Sequence, residues 1–183
     1  KKKLAKSLKT IFTHNSNFIY NNKKINLVSI ASFDNYHFQH LLKAIKNKKN
    51  IFIEKPICQN SKQLTFLKKL LKNTRLKLSS NFVLRYHPKF KKVKELINQN
   101  KIGEIYSIEG EYNYGRLEKL IKGWRGKIPY YSVVQGGGIH IIDLMQWLTN
   151  SFPQKAISIG NNLITKRSKF KFNDNNIALL TFK

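Results

Sequence analysis

A chain of 183 residues, 41% hydrophobic and 12% aromatic, is long enough to bury a real core and too apolar to be a disordered segment. Its single cysteine, Cys58, excludes an internal disulfide framework and any cysteine-rich zinc site, and no apolar run approaches the ~18 residues a bilayer crossing needs. The net charge of +26 is consistent with a polyanion partner or with lysine and asparagine spread over the surface by an A/T-rich coding bias. The opening run is only Lys1 to Lys3, so the second reading is preferred and nucleic acid is not the expected partner. No signal peptide opens the chain, and the expected setting is a reducing cytoplasm without a membrane partner.

In chain order, Lys1 to Thr10 reads as a helix with Leu4 and Leu8 on one face, Ile11 to Thr13 as a short strand, and Asn15 to Asn22 as a short helix. Ile25 to Ser32 is a buried strand. A helix to about Asn47 follows, carrying Phe38, Leu41, Leu42 and Ile45. Ile51 to Glu54 is the next strand, Ser61 to Lys72 the next helix, and Lys77 to Val83 a third strand. This alternation predicts parallel βαβ units.

The character changes near Leu84 to Pro88. Pro88 to Asn100 is an amphipathic helix closed by Gly103, and the alternation from Glu104 to Tyr114 predicts a long antiparallel strand. A loop runs from Gly115 to Gln135. Gly136-Gly137-Gly138 then opens a helix to about Thr149, and Ala156 to Ile164 and Ile177 to Lys183 are strands. The predicted fold class is α/β: a partial Rossmann-type parallel sheet over residues 1–84, then an α+β part over 85–183 with an open, mainly antiparallel sheet.

Two stretches carry chemistry. In Ile51-Phe-Ile-Glu-Lys-Pro56, the proline restricts Lys55 to extended backbone and places its ammonium, with Glu54 beside it, at the strand's carboxyl end, where parallel sheets bind ligands. A solvated turn is the plainer alternative. In the triple-glycine helix, His140 and Asp143 are i and i+3 on one face, so the carboxylate could orient the imidazole for acid–base work. A core histidine satisfied by a local aspartate is the alternative there.

These segments together resemble the glucose–fructose oxidoreductase / inositol dehydrogenase (Gfo/Idh/MocA) family of nicotinamide-dependent oxidoreductases. The resemblance runs from about Ile25 to Trp147. It rests on Ile51 to Pro56, Asn81 to Arg85 followed by Pro88, Ile102-Gly103-Glu104-Ile105, Trp124-Arg125, and the triple-glycine helix with Asp143-Leu144. It implies hydride transfer, with NAD or NADP, to or from a hydroxyl-bearing carbon of a sugar or cyclitol. It implies catalytic roles for Lys55 and His140, which are expected to converge on one cavity. Ser32, Asn35, His37, Glu54, Lys55, Pro56 and Arg85 are implied cofactor contacts. Lys55, Arg85, Trp124, Arg125, Tyr131, Asp143 and His140 are implied substrate contacts, and no metal is implied. The open sheet implies a homo-oligomer.

Departures accompany the resemblance. Many members carry an aspartate four residues before the histidine, where this chain has Gly136. Tyr130 and Tyr131 could be packing rather than substrate contacts, and His37 a solvated helix-start residue. The first glycine is Gly103, so no glycine-rich phosphate loop lies in the first half. The chain is therefore expected to be cut at both ends, and on its own to bind NAD(H) or NADP(H) weakly and be inactive. Rival readings are a basic nucleic-acid-binding module and a catalytically degenerate family member acting as a binding subunit.

Overall fold

The computed structural model describes residues 1–128 and 131–183; Pro129 and Tyr130 lie outside the described residues. The chain divides into two units, Lys1–Asn81 and Phe82–Lys183.

In the first unit, α1 (Lys2–Ser7) and α2 (Ser16–Asn21) precede β1 (Leu27–Ile30), α3 (His37–Lys46), β2 (Asn50–Ile53), α4 (Ser61–Lys72) and β3 (Leu78–Ser80). The three strands pair in parallel in the order β1-β2-β3, with Ile30 opposite Ile53 and Ile53 opposite Ser80. Both crossovers pack on one face. Val28, Ile30, Ile51 and Ile53 bury against Leu41 and Ala44 of α3 and Leu67 of α4. The strands alternate rather than being buried throughout, since Leu27 and Phe52 point to the exposed face. Residues 11–13, expected as a strand, have no partner and form none. β3 is shorter than expected: after Asn81 donates its N–H to the Ile53 carbonyl at 2.9 Å, the chain turns into a 3₁₀ segment, Val83–Tyr86.

Without glycine, helices in this unit stop on other residues. Lys48 adopts φ 54°, and Lys49 and Lys48 donate their N–H groups to the Ala44 and Ile45 carbonyls at 3.0 Å. That is the Schellman pattern, which usually places glycine at the left-handed position.

The second unit holds α5 (Pro88–Asn98), α6 (Leu117–Ile121), α7 (Ile139–Thr149), β4 (Pro153–Asn161) and β5 (Asn175–Phe182). α5 ends on Asn100 at φ 53°, with Lys101 and Asn100 bonded back to Leu96 and Ile97, so Asn100 rather than Gly103 terminates it. β4 and β5 form an antiparallel hairpin with Ile159 opposite Ile177 and Ile157 opposite Leu179.

Two expectations are corrected. Residues 104–114 form no strand among the described residues, because alternation assigns faces but only a neighbouring ladder makes a strand. The segment instead lies against α7: a Cβ on Gly110 would strike Ile141 and come within 2.9 Å of Met145 Cε. The expected loop from 115 to 135 contains α6 and a 3₁₀ turn, Trp124–Lys127. α6 forms because Leu120 buries with Tyr131 and Phe170 while Glu118 and Lys122 pair at 2.8 Å across one turn.

Candidate active site

Each unit positions its own set of predicted residues. In the first unit the strand register brings the ends of β1, β2 and β3 to one level, so Ser32, Glu54-Lys55-Pro56 and Asn81 all emerge at the carboxyl edge of the sheet. The Glu54 N–H donates to the Ile30 carbonyl at 2.9 Å, which continues the β1–β2 ladder one residue past the strand. The Asn81 side-chain amide donates to Glu54 Oε1 at 2.7 Å. Lys55 and Glu54 are half-buried, Pro56 is buried, and the Lys55–Pro56 peptide bond is cis.

His37 opens α3 with no exposed surface. Its Nδ1 lies 2.6 Å from the Pro56 carbonyl oxygen and its Nε2 lies 3.0 Å from the Ser32 carbonyl oxygen. It therefore meets the edge through backbone rather than through an open ring face. Ser32 contributes its carbonyl in the same way. Asn35 sits in the 3₁₀ turn before α3, and its buried Oδ1 has no hydrogen-bond partner; the same holds for Ser80 Oγ, at the last position of β3. Orphaned buried polar atoms are rare in folded proteins, and two of them beside one strand edge suit a polar ligand group.

In the second unit His140 is framed by aromatic rings. Tyr112 stacks on it at 6.1 Å and 19°, and Phe82 meets it edge-on at 6.4 Å and 85°. Phe82 also lies beneath the Arg85 guanidinium at 5.9 Å. Asp143, one turn on from His140, accepts hydrogen bonds from Arg85 on both carboxylate oxygens. That hydrogen bond raises the Arg85 guanidinium above its ordinary range against the opposing effect of burial. Phe82 thus links Arg85 and His140, and Arg85 links to Asp143.

The triple glycine is explained by what presses on it. A side chain at Gly136 would fall on the Tyr131 hydroxyl, and a Cβ at Gly137 would sit 2.7 Å from the Tyr112 ring. Val134–Gly138 forms a π-helical turn ahead of α7. Tyr131 is buried with Leu120 and Phe170. Trp124 and Arg125 occupy the 3₁₀ turn, with the guanidinium 4.4 Å from the indole centroid. Asn81, Ser80 and Tyr112 were not among the predicted site residues. Asn81 had a readable signal, as the polar residue closing β3, whereas Tyr112 had none beyond its alternation.

The fit to a nicotinamide can be tested on these residues. Asn35 and Ser80 offer unpartnered polar atoms, Glu54 and Lys55 offer charge, and all four lie along the strand ends. They suit the polar nicotinamide end. Residues 1–102 contain no glycine, so they supply no glycine cradle for a pyrophosphate.

Comparison with known proteins places these features in context. Residues 1–82 match the domain described as oxidoreductase family, NAD-binding Rossmann fold, and residues 90–183 match the GFO/IDH/MocA C-terminal domain. Oxidoreductase P35 of Formosa agariphila is 34% identical over 144 residues, 73% of this chain and 44% of its own length. The structure of myo-inositol 2-dehydrogenase from Lactobacillus plantarum superposes with a TM-score of 0.83 at 20% identity, covering 98% of this chain and 55% of that one. Scyllo-inositol dehydrogenase from Lactobacillus casei, solved with NAD(H) and scyllo-inositol, gives 0.77 at 22% identity, covering 100% and 55%. The chain thus spans about half the length of the proteins it matches. No helix among the described residues is long and apolar enough to cross a membrane.

Proposed function

Because the chain belongs to the Gfo/Idh/MocA oxidoreductase family, we propose that it carries residues of an NAD(P)-dependent oxidoreductase acting on a hydroxyl-bearing carbon of a sugar or cyclitol. The observation that carries this reading is the Lys55 turn: a lysine at the carboxyl edge of a parallel sheet, flanked by two anchored residues and by unpartnered polar atoms of Asn35 and Ser80. The inositol dehydrogenases named above support the choice of substrate class.

When bound, the oxidised nicotinamide supplies the hydride acceptor. Oxidation of the substrate carbinol to a carbonyl by that acceptor would also release the hydroxyl proton, and it falls to the chain's own residues to accept it. By resemblance to the family, His140 is assigned the acid–base role and the Lys55 ammonium the role of stabilising negative charge on a substrate oxygen. Asn35, Ser80 and Glu54 hold the nicotinamide end. Arg85, tied to Asp143, keeps Phe82 against the His140 ring. Trp124, Arg125 and Tyr131 are the remaining candidate substrate contacts.

The hairpin leaves Ile157, Ile159, Ile177 and Leu179 between 66% and 77% exposed, which supports a second copy as the cover of that sheet. Light scattering on the intact protein with Ile159→Glu checks this: a monomer supports it, and an unchanged mass overturns it.

The deciding experiment for the activity assays the intact protein against aldoses and inositols with NAD and with NADP, following reduced nicotinamide by absorbance. Lys55→Met and His140→Asn should each lower kcat by about 10²–10⁴-fold. Full turnover in the Lys55→Met protein would overturn the reading.

A further inference from the structure

We propose that His37 and Asn81 are positioning residues that hold the Lys55 turn from its two sides. The residues on either side of Lys55 are each tied by a side chain from elsewhere in the sheet edge. Glu54 Oε1 accepts from the Asn81 amide at 2.7 Å, and the Pro56 carbonyl meets His37 Nδ1 at 2.6 Å. One tether comes from the segment after β1 and the other from the end of β3, so the turn after the central strand is fixed by both neighbours.

Each tether is itself anchored. The Asn81 N–H donates to the Ile53 carbonyl at 2.9 Å, and the Glu54 N–H to the Ile30 carbonyl at 2.9 Å. His37 has no exposed surface, and its other nitrogen faces the Ser32 carbonyl at 3.0 Å. Water cannot compete there. At 2.7 Å the Asn81 bond lies at the short end of the N–H···O range. His37, as a ring enclosed by protein, acts on the site only through the backbone it grips.

The consequence is geometric. A lysine has four side-chain torsions, so its ammonium finds a reacting oxygen reproducibly only if its backbone is held. Displacement by about 1 Å at a reacting group can cost about 10²-fold in rate. The tethers fix the Cα from which the ammonium reaches. This inference rests on the reading that Lys55 carries the chemistry, and its test separates the two.

The test uses the intact protein with Asn81→Leu and His37→Gln, and with Asn81→Gln as the conservative variant that keeps an amide. Lys55 reactivity toward an amine-labelling reagent is read residue by residue by mass spectrometry, with exposed Lys62 as internal reference. Thermal melting confirms folding. Asn81→Leu should raise Lys55 labelling about threefold relative to Lys62 and lower kcat about tenfold or more with KM within about twofold. Asn81→Gln should recover part of both. His37→Gln, which keeps one donor, should show the smaller change of the two single variants if it folds; Asn81→Leu decides the matter if it does not. Unchanged Lys55 labelling in folded Asn81→Leu overturns the proposal, as does a change confined to KM. Because labelling needs no turnover, an inactive or differently active enzyme refutes the functional reading without touching this one.

Discussion

Arg85 grips Asp143 through two parallel hydrogen bonds, Nε to Oδ2 at 2.7 Å and the terminal nitrogen to Oδ1 at 2.6 Å. The two sides of the pair differ in burial, with side-chain exposures of 39% for Arg85 and 8% for Asp143. Removing the arginine strands a carboxylate away from water, whereas removing the carboxylate leaves a guanidinium that water can reach. Arg85→Met should therefore cost about 2–3 kcal/mol and Asp143→Asn about 1 kcal/mol in urea unfolding, the exposed side being discounted for solvent screening. Equal losses would contradict the asymmetry.

Gly137 seats the Tyr112 ring, which in turn stacks on His140. Gly137→Ala should push that ring aside, lowering stability by about 1–3 kcal/mol and loosening the His140 ring, which is read from its aromatic proton resonances. Val134 is the neighbour of Gly138 and stands at an ordinary 3.5 Å, so Gly138→Ala should be milder. The order of the two variants is the check.

His40 carries a pH signature. The Tyr20 hydroxyl and His40 Nδ1 share a hydrogen bond at 2.9 Å, whose direction follows the imidazole tautomer. Burial, then the nearby Lys43 and His37, lower the His40 pKa from its ordinary value of 6.5, and burial raises the Tyr20 phenol, keeping it protonated. A lowered folded value means the unfolded chain binds the proton more readily. Stability from burying the neutral imidazole is full above about pH 6.5 and is lost as pH falls from there through the lowered folded value. His40→Gln, which keeps an acceptor for Tyr20, should remove that part of the pH dependence; identical melting profiles across this window would show that His40 contributes none of it.

Lys48 occupies a left-handed position at φ 54° where its Cβ is strained. Lys48→Gly should raise stability by about 0.5–1 kcal/mol, since the relief of about 1–2 kcal/mol exceeds the added unfolded-state entropy. Thermal melting measures it, and a lower melting temperature would refute it. The same change at exposed Lys43, inside α3, should be destabilising by about 1 kcal/mol.

The candidate site was half legible in the chain. Lys55 could be placed at a strand end because a short β-rich run closes on proline, and His140 and Asp143 could be set on one helix face by their spacing. Their partners could not be found that way. Asp143 accepts from Arg85, 58 positions earlier, and no local spacing announces that pair. His37 turned out to be enclosed, with its nitrogens on two carbonyls, because the β1–β2 register carries Pro56 over the start of α3.

What the amino-acid order determined alone is the local part: the three parallel strands, the helices between them, and the change of character before Pro88. Apolar period, caps and proline act over a few residues and need no distant partner. Tertiary structure alone decided that residues 104–114 lie against α7 instead of pairing, that Tyr112 fills the Gly137 face, and that Asn81 holds Glu54. Those outcomes depend on which surfaces meet once the chain has closed. A side chain's period states which way it points, but a hydrogen bond or a ladder exists only when a second group arrives within reach.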